Sequence, residues 1–215
     1  MEELRQSLTA QFIDLASQLA FSVSQTQQSK LIEFVLLLHK WNKTYNLSSV
    51  RQPSEMLVKH IFDSIVVAPY LRGPRIADVG TGPGLPGIPL AIMCPEKSFT
   101  LIDSLGKRVR FMKQAIHALN IENAIPIQSR VEDVLPNQVF DVVLSRAFAS
   151  LDDMLHWCKH LIDKEGVFLA LKGQLHQQEL NEIPKQFTLV QSIPLLIPSL
   201  AGDRHLVEIK MTTGQ

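Results

Sequence analysis

Apolar positions recur at helical spacing through the first third of the chain and change near residue 73 to short, unbroken apolar runs. Ser24 and Gln27 stand at capping-box spacing, and Leu31, Phe34, Val35, Leu38, Trp41 and Tyr45 follow on one face, which predicts an amphipathic helix. A second helix is predicted from Pro53 and Ser54, where proline suits a first turn. Leu57, Ile61 and Ile65 carry its apolar face, and Pro69 and Gly73 close it. Residues 1–72 are therefore read as a helical extension and residues 73–215 as the main domain.

Beyond that point, apolar runs at 75–79, 99–102, 124–128, 140–144 and 167–171 alternate with helical stretches. Such alternation predicts an α/β fold, a parallel, doubly wound, Rossmann-like sheet. The last two runs, 187–192 and 205–210, have no helical segment between them and are joined by a stretch bearing Pro, Gly and Asp. They predict an antiparallel pair at the end of the sheet.

Composition narrows the partners. The chain has 215 residues, room for one substantial core with a small appendage, and its Lys plus Arg and Asp plus Glu both total 21. That balance excludes a surface that is basic throughout, so any nucleic-acid contact must be local. Cys94 and Cys158 are the only cysteines and form no CxxC pair, so neither a disulfide framework nor a zinc site is expected, and no metal. The first residues show no targeting pattern, and no apolar run reaches the ~18 residues that cross a bilayer. A cytosolic protein with no membrane partner, and a monomer, is expected.

The densest chemical signal is Asp78-Val79-Gly80-Thr81-Gly82-Pro83-Gly84-Leu85-Pro86-Gly87, at the turn after the first predicted strand. In open parallel sheets this turn approaches the ligand most closely, and glycine lets a ligand lie against the main chain. Gly82 to Gly87 satisfy the loose GxGxxG pattern of dinucleotide sites, with Asp103 about 20 residues on to take ribose hydroxyls. Pro83, Pro86 and Pro89, however, remove amide donors that a pyrophosphate needs. The P-loop pattern fails too, because Ile88 stands where lysine belongs. S-adenosylmethionine carries no phosphate, and the register Asp78-x-Gly80-x-Gly82-x-Gly84 looks like the first motif of class I methyltransferases. A structural turn in another α/β enzyme is the bland alternative. Glu132 and Asp133 follow the third strand, either facing the adenine edge or capping the next helix.

A closer resemblance covers nearly the whole chain. Trp41 to Leu47, His60-Ile61-Phe62-Asp63-Ser64, the glycine loop with its LPG ending, and Asp103-Ser104 with Lys107, Arg108 and Phe111 carry its first half. Ser145-Arg146-Ala147, Lys172-Gly173 and Arg204-His205-Leu206-Val207 complete it, in order. These blocks resemble the small-subunit ribosomal RNA methyltransferase G family, formerly called glucose-inhibited division protein B. The resemblance implies S-adenosylmethionine-dependent methylation of a guanine N7 in a loop of bacterial 16S ribosomal RNA, within the small subunit or an assembly intermediate. It implies cofactor positions at Gly80, Leu85, Val131, Glu132 and Arg146, with leucine at 85 where relatives often carry phenylalanine. With the loop and second-strand acid, the expected cofactor set also holds Asp78, Thr81, Gly82, Gly84 and Asp103.

The chemistry agrees. Methylating an amine or hydroxyl needs a departing proton, yet the fourth strand ends Leu144-Ser145-Arg146-Ala147, without the usual Asn/Asp-Pro-Pro-aromatic or Lys/Asp/Lys/Glu sets. Both cysteines are read as inert core or helix residues and not as nucleophiles. Guanine N7 has a lone pair and no proton, so no catalytic acid or base is expected. Arg146 is placed to bind either guanine O6 or the cofactor's carboxylate. His60 and Asp63 share a helical face, with spacing for a hydrogen-bonded pair walling the pocket or a structural histidine. Two basic clusters, one between Lys40 and Arg75 and one holding Lys107, Arg108, Arg110 and Lys113, are candidate RNA contacts. Trp41 and Tyr45 are read as core more than as base-stacking residues. Two other function classes compete: a nicotinamide-dependent oxidoreductase using the GxGxxG register, and a non-enzymatic RNA-binding module sheltering an assembly intermediate.

Overall fold

The computed structural model describes residues 2–146 and 148–212. Ala147, which the sequence groups with Ser145 and Arg146, lies outside the described residues.

Helix α2 (Gln25–Tyr45) begins as its sequence predicts: Ser24 Oγ accepts from the Gln27 amide while Gln27 Oε1 accepts from the Ser24 amide. Asn46, left-handed at φ 50°, ends it. The helix near Pro53 is less regular than its apolar spacing suggests. It starts as α3 (Pro53–Met56), widens into a π-helical segment over Leu57–Phe62, and returns to α geometry in α4 (Asp63–Ile65). Before both lies α1 (Glu2–Ala16), whose buried stripe is only Leu8, Phe12 and Leu15.

The sheet holds seven strands: β1 (Arg75–Val79), β2 (Ser98–Asp103), β3 (Ala124–Gln128), β4 (Phe140–Ser145), β5 (Ile162–Lys172), β6 (Phe187–Pro194) and β7 (His205–Met211). Their order is β3-β2-β1-β4-β5-β7-β6. The first five pair in parallel, and β7 runs antiparallel to both β5 and β6, as the predicted terminal pair requires. Crossovers are α5 (Gly87–Met93), α6 (Gly106–Ala118), α7 (Leu151–Cys158) and α8 (Gln177–Asn181).

Side chains alternate between the two faces of a strand, and here the alternation divides the apolar core into two layers. Val142 and Leu144 of β4, with Val167, Leu169 and Leu171 of β5, face α5, α6 and the N-terminal helices. Val143, Phe168 and Ala170 face α7. The extension is not a separate lobe in packing terms, because its residues share one continuous cluster with the sheet. Phe12 meets Phe62 at 5.1 Å between ring centroids, and Phe34 and Trp41 meet Phe111 of α6 at 5.9 and 5.6 Å. Trp41 is thereby committed to packing, whereas Tyr45 stays exposed. The strand order reverses between β1 and β4, which opens a crevice at their carboxyl ends, where such sheets bind ligands. Ser145 Oγ, donating 2.7 Å to the Val79 carbonyl, clips the two ends together.

Candidate active site

Two clefts are lined by residues near those strand ends. The first, about 430 Å³, is lined by Gly80, Asp103, Arg108, Val131, Glu132 and Phe148. The second, about 500 Å³, holds His60, Asp63, Arg146, Lys172, Arg204 and His205. A groove of about 550 Å³ between α1 and α2 lies away from the strand ends, and its charged groups, Arg5 and Glu33, pair with each other.

The glycine loop closes on itself through its backbone. The amides of Gly80 and Thr81 donate to the Ile102 carbonyl, those of Gly84 and Leu85 to the Thr81 carbonyl, and that of Ile88 to the Gly84 carbonyl. The Gly82 amide donates to Asp103 at 2.9 Å and the Gly87 amide to Asp78 at 2.7 Å. Pro83 and Pro86 have no amide hydrogen to give. Every donor from residue 80 to 88 is thus satisfied within the protein, which leaves none to grip a diphosphate. Gly82, left-handed at φ +62°, offers something else: a Cβ built there meets nothing within 4 Å. At Gly82 the loop leaves open space beside an uncharged main chain that has no free amide, which suits a nucleoside without phosphate better than a dinucleotide.

Two buried carboxylates hold this floor in place. Asp78, 1% exposed, accepts from Thr81 Oγ1 at 2.6 Å as well as from Gly87, so both Asp78 and Thr81 brace the loop from beneath. Leu85 is buried in the core cluster. Asp103, 4% exposed, accepts from Gly82 and from Arg108 Nη1 at 3.1 Å on one oxygen and from the Leu105 amide at 2.9 Å on the other. Val131 and Glu132 occupy a short 3-10 turn after β3, with Glu132 exposed at the cleft's edge.

Burial pushes the Asp78 carboxyl up to about 6, against the opposing bonds from Thr81 and Gly87. In the unfolded chain the group titrates near 3.9. A folded value above the unfolded one means the folded protein binds the proton more tightly, so stability falls as pH rises from about 4 to about 6. Above that the ionised form costs the fold ~3 kcal/mol. Asp78→Asn cannot ionise. Urea unfolding is expected to show its stability relative to wild type rising by ~2–3 kcal/mol between about pH 4 and pH 7. A difference that stays flat across that range would refute the assignment.

In the second cleft, the expected His60–Asp63 hydrogen bond is not formed. His60 Nε2 pairs with Ser48 Oγ at 2.7 Å, while Asp63, 5% exposed, takes Arg146 Nη1 at 2.9 Å and Arg204 Nε at 3.1 Å. Two guanidiniums outcompete a neutral imidazole for one buried carboxylate. Burial and then the Arg146 charge lower His60 to about 4, so it is neutral at physiological pH and a weak base. Burial raises Cys94 to about 11 and Cys158 to about 12, which keeps both as thiols.

The basic residues after β2 separate. Lys107 is exposed and reaches the Tyr45 carbonyl at 3.2 Å, and Arg110 is exposed. Arg108, expected among them, instead turns into the first cleft against Asp103. Lys172, Arg204 and His205 are the cleft residues that chemical reasoning on the sequence did not single out. Their signal is positional, since they sit at the carboxyl end of β5 and the amino end of its antiparallel neighbour β7, on the ligand side of the sheet.

The profile of the family described as rRNA small subunit methyltransferase G matches residues 27–207. Proteins of that name from Aliivibrio fischeri and Photobacterium profundum are each 60% identical, over 94% and 91% of this chain and 97% and 95% of theirs. The Pasteurella multocida protein is 55% identical over 98% of this chain and all of its own length. Among solved structures, a ribosomal protein L11 methylase from Lactobacillus delbrueckii superposes with TM-score 0.53 at 19% identity, covering 71% of this chain and 77% of that one. A mitomycin 7-O-methyltransferase gives 0.60 at 16%, covering 83% and 60%. At such identity these two speak for the Rossmann-like methyltransferase fold alone.

Proposed function

The chain belongs to the rRNA small subunit methyltransferase G family, and on that premise we propose that it methylates N7 of a guanine in a loop of 16S ribosomal RNA, using S-adenosylmethionine. One observation carries this reading: the buried histidine and the carboxylate of the second cleft are both unsuited to removing a proton. His60 is a weak base already paired with Ser48, and Asp63 is committed to two arginines. The remaining groups there are the cations Lys59, Arg146, Lys172 and Arg204, with His205, whose Nδ1 lies 3.1 Å from the Gly173 carbonyl. A nucleophile that arrives with a lone pair and no proton suits such a cleft, and guanine N7 is one.

The bound cofactor would supply an activated methyl on a sulfonium: as the N7–CH3 bond forms the S–CH3 bond breaks, its electrons stay on sulfur, and the positive charge passes to the base. The protein's contribution is orientation. Gly80, Gly82 and Gly84 would floor the nucleoside, Asp103 would take its ribose hydroxyls, and Val131 with Glu132 would wall the adenine. Arg146, which lines the second cleft, would meet the cofactor's carboxylate. Aligning two reactants in a water-poor crevice is worth on the order of 7–11 kcal/mol, which can account for catalysis without an acid or base.

The test uses ribosomal RNA from cells lacking the protein, incubated in small subunits with the enzyme and S-adenosylmethionine, then treated with borohydride and aniline. A new strand break at one loop guanosine is expected. Methyl incorporation without a break would place the group elsewhere than N7.

A further inference from the structure

Arginine normally reads guanine with a two-toothed fork on O6 and N7. For an enzyme whose nucleophile is N7 that habit is self-defeating, since a hydrogen donated to N7 occupies the lone pair that must attack carbon. The second cleft holds an arginine whose forks are already partly used. Arg204 Nε is held by Asp63 Oδ1 at 3.1 Å, and its Nη1 donates 2.8 Å to the Asp203 carbonyl. The side-on fork needs Nε with Nη2, and the single hydrogen of Nε is taken; Nη1, which has two hydrogens, gives one of them to the Asp203 carbonyl. Asp63 is itself buried, and its other oxygen holds Arg146, so its position is set from two sides.

Building on the guanine-N7 reading above, we propose that Arg204 is the specificity residue for guanine, offering Nη2 to O6 alone, and that Asp63 is the positioning residue that keeps N7 bare. Adenine would set its 6-amino group, a donor, against that donor and lose the contact. The Asp63 carboxylate has a second effect. The base becomes cationic as it is methylated, beside two guanidiniums, and one carboxylate between them reduces the repulsion. The link spans 141 residues, joining the N-terminal extension to the start of β7.

The experiment compares wild type with Arg204→Ala, Arg204→Lys and Asp63→Asn, as full chains, on small subunits lacking the modification. It records kcat and KM for 7-methylguanosine formation and competitive inhibition by guanosine, inosine and adenosine 5′-monophosphates; inosine keeps O6 and N7. Wild type is expected to be inhibited at least about 10-fold better by the two 6-oxo nucleotides than by adenosine monophosphate. Arg204→Ala should bring that ratio to about 1 and lower kcat by about 10- to 100-fold, with S-adenosylhomocysteine affinity changed less than about 3-fold. Arg204→Lys should restore part of the preference. Asp63→Asn frees Arg204 to form its fork, so kcat should fall about 10-fold while guanosine monophosphate inhibits as well as before or better. A variant that merely loosened the fold would lose both together.

The proposal is overturned if wild type shows no 6-oxo preference, if Arg204→Ala keeps preference and kcat, or if Asp63→Asn loses turnover and nucleotide binding in parallel. Should Arg204→Ala not fold by thermal melting, Arg204→Lys and Asp63→Asn decide the matter. Wild type forming no 7-methylguanosine at all would instead sink the guanine-N7 reading itself.

Discussion

Gly87→Ala is expected to damage the fold, whereas Gly82→Ala, five residues earlier in the same loop, should damage only ligand binding. A Cβ at residue 87 would lie 2.3 Å from Leu101 Cδ2 and 2.7 Å from Asp78 Oδ2, the oxygen that accepts the Gly87 amide. Leu101 is fully buried on β2, so neither neighbour can retreat. Overpacking of this kind costs about 1–3 kcal/mol, and the strained bond to a buried carboxylate adds about 1–3 kcal/mol. For a chain of this size that amounts to a fall of roughly 10 °C in Tm. At residue 82 the added methyl meets nothing, so stability loses only the ~1–2 kcal/mol of holding alanine in a left-handed conformation. The methyl would nevertheless stand in the space assigned to the cofactor, and S-adenosylhomocysteine affinity should fall at least about 10-fold, the scale of steric misfit in a packed site. Thermal melts and calorimetric titration on both variants check the contrast. Tight binding by the residue 82 variant would mean the ligand does not cross that part of the loop.

The second large effect concerns Asp103. Its two oxygens gather the Gly82 amide, the Leu105 amide and the Arg108 guanidinium, so it both fixes the loop and ends β2. Asp103→Ala leaves the Gly82 amide without its acceptor in a buried place and releases Arg108, costing about 2–4 kcal/mol. If ribose hydroxyls bind this carboxylate, charge-assisted bonds at about 1.5–3 kcal/mol each go as well, and S-adenosylhomocysteine affinity should drop at least about 100-fold. Arg108→Ala separates the two roles. It removes a competitor for the same oxygen while sparing the loop amides, so affinity should hold or improve. Equal losses in both variants would show that Arg108, and not the carboxylate, is the ligand's partner.

Local signals in the chain carried much of this outcome. The Ser24 and Gln27 capping box formed as spaced, because both bonds lie within one turn of helix. The strand starts at Arg75 and Ala124 were legible because apolar runs between turn residues have few other uses. The prolines signalled a loop poor in amides, although the closing bonds onto the Thr81 and Ile102 carbonyls depend on three-dimensional folding and have no trace in spacing. Helix α1 was not distinguished within the extension, since three buried residues in fifteen give a weak period. The π segment defeated the assumption of one regular face through His60 and Asp63. Arg108 and Lys107 are adjacent in sequence yet part company because only Arg108 lies within reach of the β2 terminus.

The shared core has a bearing on how the protein is made. The apolar stripe of α2 is covered in part by Phe111 and its neighbours on α6, some seventy residues further along. At translation speeds of about 5–20 residues per second, that stripe spends roughly 4–15 s outside the exit tunnel before its cover emerges. The first helices are therefore natural clients for a chaperone at the tunnel mouth, and slow codons placed between α2 and α6 should raise the fraction of chains that aggregate during synthesis.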